Sequence, residues 1–462
     1  MLEQSVDQVL FDFFAQKPIV VQSRPQPISG DAGLLPIRQF DERWRYTQRL
    51  AACLTDQRCD PAHSHEQMVR QRLYGILAGY EDCNDHDTLR DEPVFKLVAG
   101  RQVQDDPLAS QPTLSRFENS VTCAELQRFI DFTIATGVER LRDKHGGLRK
   151  QIPARVTLDL DTTDDPTHGN QQLTLFHGYD DQYQYLPLII SEPTTKHVFM
   201  AWLRPGTLHP TRGADDDLFR VVGRLRAARP HVKIHVRGDA DFGLPVMMDC
   251  CEKPEENSEQ PRFSYTFGLR GNAVLKRTAQ PVMDKAVRRY ERTGKKQRLF
   301  MRFMYQAESW PHPRRVVAKA ECHAGGTNLR FVVTNLPVPG VKQARQTYDD
   351  YIQRGTSEQR MDELKNGLCA DRLSCHRFKA NFLRLLLHTA SYNLLNALRH
   401  HADVPDVLRK GQPCTWRTHL IKVAATVTQS CRRIVVTLAG QWPWRHFYTA
   451  VSERALFARG FT

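Results

Sequence analysis

The sequence predicts an α/β protein with an α-helical N-terminal region, and three observations predict it. Between Phe40 and Tyr80 apolar residues recur at mixed three-and-four spacing, from Leu50 and Leu54 through Met68, Leu73, Ile76 and Leu77, which is the period of a helix face. From Arg155 the texture changes to short runs rich in β-branched and aromatic residues: RVTLDLD, QLTLFHGY, YLPLIIS and HVFMAWL. Next, DDDLFRVVGRLRAARP, an amphipathic stretch with acids in its first turn, precedes the apolar strand VKIHV, so strands begin to alternate with helices.

Composition narrows the function classes. The chain has 462 residues, of which 40% are hydrophobic and 25% charged. Those are ordinary globular figures; they exclude a fibre or a disordered chain and leave room for about two to four domains. Lys plus Arg is 65 against 52 for Asp plus Glu, a net charge of +13. That excess predicts a polyanionic partner, most simply nucleic acid, the plain alternative being a merely basic soluble protein. No window approaches the length of apolar chain that spans a bilayer, and mean hydropathy is -0.51, so no membrane partner is expected. The opening MLEQSVDQVLFDFF lacks a cationic leader, which makes a cytoplasmic location the expectation. Eleven cysteines without a C-x-x-C read as reduced thiols, and Cys59, His63 and His65 lack a fourth metal ligand.

Along the chain, a Pro-rich arm to about residue 37 leads into the helical region, taken as 1–150. In SQPTLSRFENS, Ser110 and Thr113 offer helix caps and Pro112 suits a first turn; an amphipathic ELQRFIDFTIATGVERL follows. A short helix carrying Gln111, Ser115 and Arg116 beside a longer one suits a helix-turn-helix, with an ordinary helical lobe as the alternative. Residues 151–400 read as the α/β domain. Within it, 276–327 is strongly basic (KKQRLFMRF, HPRRVVAKAE) with strand-like alternation, and is read as a β-rich insertion between the strands SYTFGLRGNAVL and NLRFVVTNL. Helices are expected from Asp349 to about Leu368 and through LSCHRFKANFLRLLLHTASYNLLNALRHH. Residues 401–462 are read as a helical C-terminal region serving dimerisation or DNA contact.

Three signals carry chemistry. In RVTLDLD, period-two alternation puts Val156, Leu158 and Leu160 on one face and Thr157, Asp159 and Asp161 on the other. VKIHV runs into Arg237, Gly238, Asp239, Ala240, Asp241 and Phe242, and the ends of strands are where α/β folds bind ligands, although an aspartate there also suits a helix cap. In YIQRGTSEQRMDELKNGL, Tyr351, Arg354, Glu358, Asp362 and Lys365 step by three or four, the spacing of one helical face. Gly355, with Thr356 and Gln359 as a capping box, also permits a helix that starts after Arg354. Acidic strand faces and charged helix faces are commonly just solvated. Together on a basic chain, however, carboxylates from two strands and a helix are what two-metal phosphoryl transfer requires.

Asp161 in LDLDTT, Asp239 in RGDADF and the set Tyr351, Arg354, Glu358 and Lys365, spaced Y-x2-R-x3-E-x6-K, resemble the DDE transposases of bacterial insertion sequences that bear the YREK signature. THGNQQ, SQPTLSRFEN and FLRLLLHTASYNLL extend the resemblance over most of the chain. The resemblance implies an RNase H-like catalytic core with a β-rich insertion between the second and third acids, and an enzyme that cuts and rejoins DNA at terminal inverted repeats. It further implies Asp161, Asp239 and Glu358 as ligands of two Mg²⁺ ions per site, with Mn²⁺ able to substitute, and Tyr351, Arg354 and Lys365 as phosphate contacts. Asp159 and Asp241 are near neighbours that alignment to the family pattern passes over. Trp310 is the candidate to stack on a flipped base, a core tryptophan being the alternative; Lys295, Lys296, Arg298, Arg314 and Arg315 are read as a DNA track. The implied partners are double-stranded DNA, as repeats and target, and a second copy of the chain. A silent DNA-binding relative and a purely hydrolytic nuclease share these residues and stay open.

Overall fold

Most of the strand runs that begin at residue 155 come together as one eight-stranded sheet in the computed structural model, which describes residues 9–11, 13, 17, 19–21, 26–144, 147–148, 151–178, 180–254, 262–400 and 404–457; QLTLFHGY instead supplies Leu175–His177 to a separate three-stranded sheet with Asp165–Pro166 and Gln182–Tyr185. The strands of the larger sheet are β1 (Arg155–Thr162), β2 (Leu188–Ser191), β3 (Val198–Trp202), β4 (Lys233–Gly238), β5 (Ser264–Leu269), β6 (Gln297–Tyr305), β7 (Arg314–His323) and β8 (Gly326–Thr334). They lie in the order β3-β2-β1-β4-β5-β8-β7-β6. β1, β4 and β5 run parallel, while β2 and β3 on one side and β6 to β8 on the other pair antiparallel. Central position explains the composition of β1, which is buried from Leu158 to Asp161, because a strand covered on both faces must be apolar or internally paired.

The helices used below are α1 (His65–Ala78), α2 (Gln111–Ser120), α3 (Cys123–Arg142), α4 (Ala214–Ala228), α5 (Ala273–Thr293), α6 (Val341–Ile352), α7 (Gly355–Asp362) and α8 (Phe378–Arg399). α8 is apolar nearly all round, and every residue from Ala380 to Arg399 is buried, as such a helix must be. It is the spine of the molecule, packing on α1, α2, α3 and β3. α2 and α3 are separated by Val121 and Thr122. Thr122 caps α3 reciprocally with Glu125, whereas the expected Ser110 cap on α2 is replaced by a bond between Ser110 and Thr113 hydroxyls at 3.1 Å. Leu114, Phe117 and Glu118 of α2 face inward and Arg116 is exposed.

Glu118 is wholly buried and accepts from Arg72 Nε of α1 at 2.8 Å and from Arg384 Nε of α8 at 2.6 Å. Burial pushes its proton affinity up, but the two guanidinium groups outweigh burial and hold it below the usual glutamate range.

Two regions differ from the sequence reading. The basic segment 276–327 begins as a helix, since α5 runs to Thr293, and its strands extend the eight-stranded sheet through the β5–β8 pairing. Its apolar residues at 275, 279, 283 and 286 form a helical stripe that the surrounding charges obscure. Alternate residues of β7 then face opposite layers: Val316 and Ala318 pack on Leu275 and Ala279 of α5, and Val317 packs on Ala344 and Tyr348 of α6. The C-terminal region, read as helical, contains a hairpin, Ala425–Gln429 with Ile434–Leu438, whose first strand pairs with Ile28–Ser29. A final helix, Arg445–Phe457, packs against Leu34–Trp44, so residues 1–150 and 401–462 share one hydrophobic cluster. Among the described residues no helix is long and apolar enough to cross a membrane.

Candidate active site

Asp161 lies near the C-terminal end of β1, and Asp239 directly follows β4, where Gly238 is paired in parallel register with Leu160. Both carboxylates therefore sit at the C-terminal ends of neighbouring parallel strands, the ligand-binding edge of α/β sheets. Asp161 is buried; its Oδ2 accepts from Ser357 Oγ at 3.0 Å and from Arg354 Nη1 at 3.1 Å. Burial, against the pull of Arg354 and with the charge of Asp239 adding to it, pushes its carboxyl up to about 6. Asp239 is also shifted up, by burial and then by Asp241, and its Oδ1 accepts from the Asp241 backbone N–H at 2.9 Å. That bond closes a turn; it does not cap a helix. Asp159, on the same face of β1, is fully engaged by arginines in the interior, and Asp241 pairs with Arg270 at the surface.

The four YREK residues do not share one continuous helix. Tyr351 is in the last turn of α6, Arg354 immediately precedes α7, Glu358 is within α7, and Lys365 lies in a π-helical turn, Glu363–Gly367. Gly355 thus begins a new helix. The capping box is not formed, because Thr356 Oγ1 donates to the Gln353 carbonyl at 2.8 Å. π-Turns of this kind concentrate at functional sites. The Glu358 side chain is 71% exposed and accepts from Arg354 Nη2 at 3.0 Å. One guanidinium therefore stands between Asp161 and Glu358. Among the described residues no group of three or more His, Cys, Asp or Glu side chains is placed to hold one metal ion.

Tyr351 packs beside this site, and its phenol is shifted up by burial against the nearby Arg354. A Cβ on Gly268 of β5 would fall 2.7 Å from the Tyr351 hydroxyl and 2.8 Å from the Ala240 backbone nitrogen, so glycine is what lets the three segments meet. Lys365 Nζ donates to Asp164 Oδ1 and to the Asp164 carbonyl, both at 2.8 Å.

A cleft of ≈790 Å³ opens onto Asp239 and is lined also by Asp164, His177, Asp180, His209 and Arg270. A smaller cavity of ≈210 Å³ shares His209, Asp241 and Arg270 with it and is walled by Trp310 and Tyr305. Trp310 is 6% exposed, edge-on to Tyr305 at 5.3 Å, with the Arg314 guanidinium 5.4 Å over its ring. Arg314 itself corrects the DNA-track expectation. It is 3% exposed and held by Glu252 and Asp249, so it is committed to the interior. Arg315 is half-buried on the Leu336 carbonyl, Arg298 pairs with Asp349 at 2.9 Å and Lys296 with Glu321 at 2.6 Å, while Lys295 is exposed. The stronger basic surface is the outer face of α5, where Lys276, Arg277, Lys285, Arg288, Arg289 and Arg292 are all exposed.

The sequence reading missed His177, His209 and Arg270 as cleft residues. Arg270 had a usable signal, as it directly follows a strand, like Asp239; His177 ends a short strand and His209 lies in a loop, and neither carried a signal in the sequence.

A family model described as transposase DDE domain group 1 matches residues 11–457 of the chain. No curated protein matches it. Among solved structures, the chain is similar to the piggyBac transposase of a synaptic complex with hairpin DNA, at a TM-score of 0.40 and 11% identity, covering 92% of this chain and 80% of that one.

Proposed function

The chain belongs to the transposase DDE domain group 1 family, and from that premise we propose that it is an active transposase of a bacterial insertion sequence of the YREK lineage. It acts on double-stranded DNA in the cytoplasm, at the nucleoid, binding the terminal inverted repeats as a homodimer, cutting the element out and joining it to target DNA. The single observation that carries this reading is the pair Asp161 and Asp239 at adjoining parallel strand ends, with Arg354 bonded to Asp161 on one side and to Glu358 on the other. The sheet order β3-β2-β1-β4-β5, with the first acid on the central strand and the second beside it, supports an RNase H-like core.

The donor set suits hard divalent cations: oxygen ligands only, and two aspartates that burial makes costly to ionise, Asp161 further so by the charge of Asp239 and Asp239 by that of Asp241. Asp161, Asp239 and Glu358 would hold two Mg²⁺ or Mn²⁺ ions, which supply Lewis-acid stabilisation of the attacking and leaving oxygens. Arg354 meanwhile neutralises Asp161 and restrains Glu358; a phosphate arriving in the cleft offers its fork a second partner and releases Glu358 toward the aspartates. Tyr351, beside Arg354, and Lys365, bonded to the cleft residue Asp164, serve as further phosphate contacts, and Arg116 is a base- or phosphate-reaching residue of the helix pair α2–α3. Trp310 and Tyr305 wall a cavity suited to stacking on a displaced base.

The test is nicking of a labelled duplex carrying the element's terminal repeat, in Mg²⁺ or EDTA, by wild type and Glu358→Gln. Metal-dependent nicks at the repeat boundary, lost in the variant while duplex binding persists, are expected. Joined target products separate strand transfer from simple hydrolysis. The exposed Glu358 favours one second reading, a DNA-binding protein that does not cut, and binding without nicking under Mg²⁺ and Mn²⁺ would establish it.

A further inference from the structure

Each of the three proposed metal-binding acids has a buried charged residue two positions away in sequence: Asp159 before Asp161 on β1, Arg237 before Asp239 on β4, and Arg360 after Glu358 on α7. These three residues, 0%, 4% and 1% exposed, meet one another. Asp159 Oδ1 accepts from Arg237 Nε at 2.7 Å, and its Oδ2 accepts from Arg237 Nη2 at 2.9 Å and from Arg360 Nη2 at 2.7 Å. The other donors of the two guanidiniums reach further elements. Arg237 Nη1 donates to the Asp350 carbonyl of α6, Arg360 Nε to Ser191 Oγ of β2 at 3.1 Å, and Arg360 Nη1 to Thr356 Oγ1 in the first turn of α7 at 2.9 Å.

Periodicity gives this arrangement its meaning. On a strand, residues two apart share a face, so Asp159 lies on the same side of β1 as Asp161, and it faces Arg237 directly across the β1–β4 ladder. On a helix, residues two apart differ by about 200°, so rooting Arg360 in the interior turns Glu358 outward, where its side chain is 71% exposed and meets Arg354. Every element that carries an acid, and α6 with Tyr351, is therefore bonded to a single buried carboxylate or to its two guanidiniums.

We infer that Asp159, Arg237 and Arg360 form a positioning node that fixes the helix of Glu358 over the strands of Asp161 and Asp239, an inference that rests on the metal-binding role proposed for those acids. A buried ion cluster is a poor device for stability alone, since apolar replacements of similar volume are commonly neutral or stabilising. A node so placed acts on the geometry of the ligands, as outer-shell partners of metal sites do.

The test uses the full chain with Arg360→Lys, which keeps the charge but not the three-way fork, Arg360→Met, and Ser191→Ala as a mild probe that removes one partner of Arg360. Mn²⁺ affinity is read from the free-ion electron paramagnetic resonance signal, alongside single-turnover nicking in Mn²⁺, duplex affinity and Tm. For Arg360→Lys we expect unchanged duplex affinity, with Mn²⁺ affinity and nicking rate each lowered by about 10- to 100-fold. Ser191→Ala should fall in the same direction by less, which keeps the test decisive if the arginine variants fail to fold. Arg360→Met should lose Mn²⁺ affinity whatever its Tm. Folded variants whose Mn²⁺ affinity and nicking stay within twofold of wild type, or whose loss is confined to duplex binding, overturn the inference. A wild-type chain that neither binds Mn²⁺ nor nicks overturns the proposed function and this inference with it, whereas a competent wild type matched by its variants overturns this inference alone.

Discussion

Substituting Glu118 by Gln removes the one negative charge that Arg72 and Arg384 share beneath α2. All three groups are buried, so Arg72 loses its ion-pair partner and Arg384 keeps only the longer pairing with Asp82 at 3.7 Å, where water does not replace the lost charge. Breaking a buried pair in this way costs about 3–5 kcal/mol. With an unfolding entropy of about 2.1 cal/mol/K per residue, a chain of this length should melt about 3–5 °C lower. Replacing Arg72, Glu118 and Arg384 together by apolar residues of similar size should recover most of that loss, because no charge is then stranded. The pH dependence follows from the same geometry. Burial raises the proton affinity of Glu118, but the two arginines outweigh it and hold the folded value low. The stabilisation is therefore complete above the unfolded value of about 4.3 and is lost as pH falls through the lower folded value. Melting curves followed by tryptophan fluorescence at neutral pH and across the acid range below about 4.3 test both parts: wild type should lose stability there and Glu118→Gln should lose less. A variant that melts within about 1 °C of wild type, or a triple replacement less stable than the single one, would refute the reasoning.

Four further outcomes are expected. Arg354→Ala should raise Mn²⁺ affinity in the free protein, because the cation facing Asp161 is gone, yet slow nicking by about tenfold or more, as loss of a fixed charge-stabilising donor does; electron paramagnetic resonance titration and single-turnover kinetics read the two effects. Gly268→Ala should cut nicking sharply with little change in duplex affinity, since the added methyl meets the Tyr351 hydroxyl and backbone at Ala240; equal rates for both proteins would refute this. Reversing charge at Arg288, Arg289 and Arg292 should weaken duplex binding and flatten its salt dependence by about 0.9 in log–log slope for each phosphate no longer neutralised. Trp310→Ala should weaken binding of a duplex with a displaced base by about 1–3 kcal/mol relative to a fully paired one, measured by fluorescence anisotropy.

Much of the candidate site's placement was legible because the relevant signals are local. Period-two alternation put Asp159 and Asp161 on one face of β1, the strand ending at Gly238 marked Asp239, and the structure sets the two strand ends side by side. The break before α7 was legible in Gly355. What the sequence did not show depends on distant partners. Arg314 reads as surface charge until Asp249 and Glu252 are placed against it, and the hairpin at Ala425–Leu438 exists because Ile28 and Ser29 supply a neighbouring strand. α5 was hidden for a different reason: Pro281 reads as a breaker, and cations surround the stripe of Leu275, Ala279, Met283 and Ala286. The turn of Glu358 toward Arg354 leaves no sequence signature at all, since the same spacing serves a carboxylate facing a metal.

The pairing of Ile28–Ser29 with Ala425–Gln429, the Lys422–Asp31 bridge at 2.7 Å and the packing of Arg445–Phe457 on Leu34–Trp44 also bear on synthesis. During synthesis the helix Leu34–Trp44 therefore waits for residues far later in the chain before its apolar surface is covered. A prematurely terminated product lacking residues 420–457 would uncover the face of Leu34–Trp44 that packs on Arg445–Phe457 and become a substrate for proteolysis. A chain interrupted between these two segments would therefore leave few stable fragments, so the fold ties the survival of its early helices to an unbroken path through to the late ones.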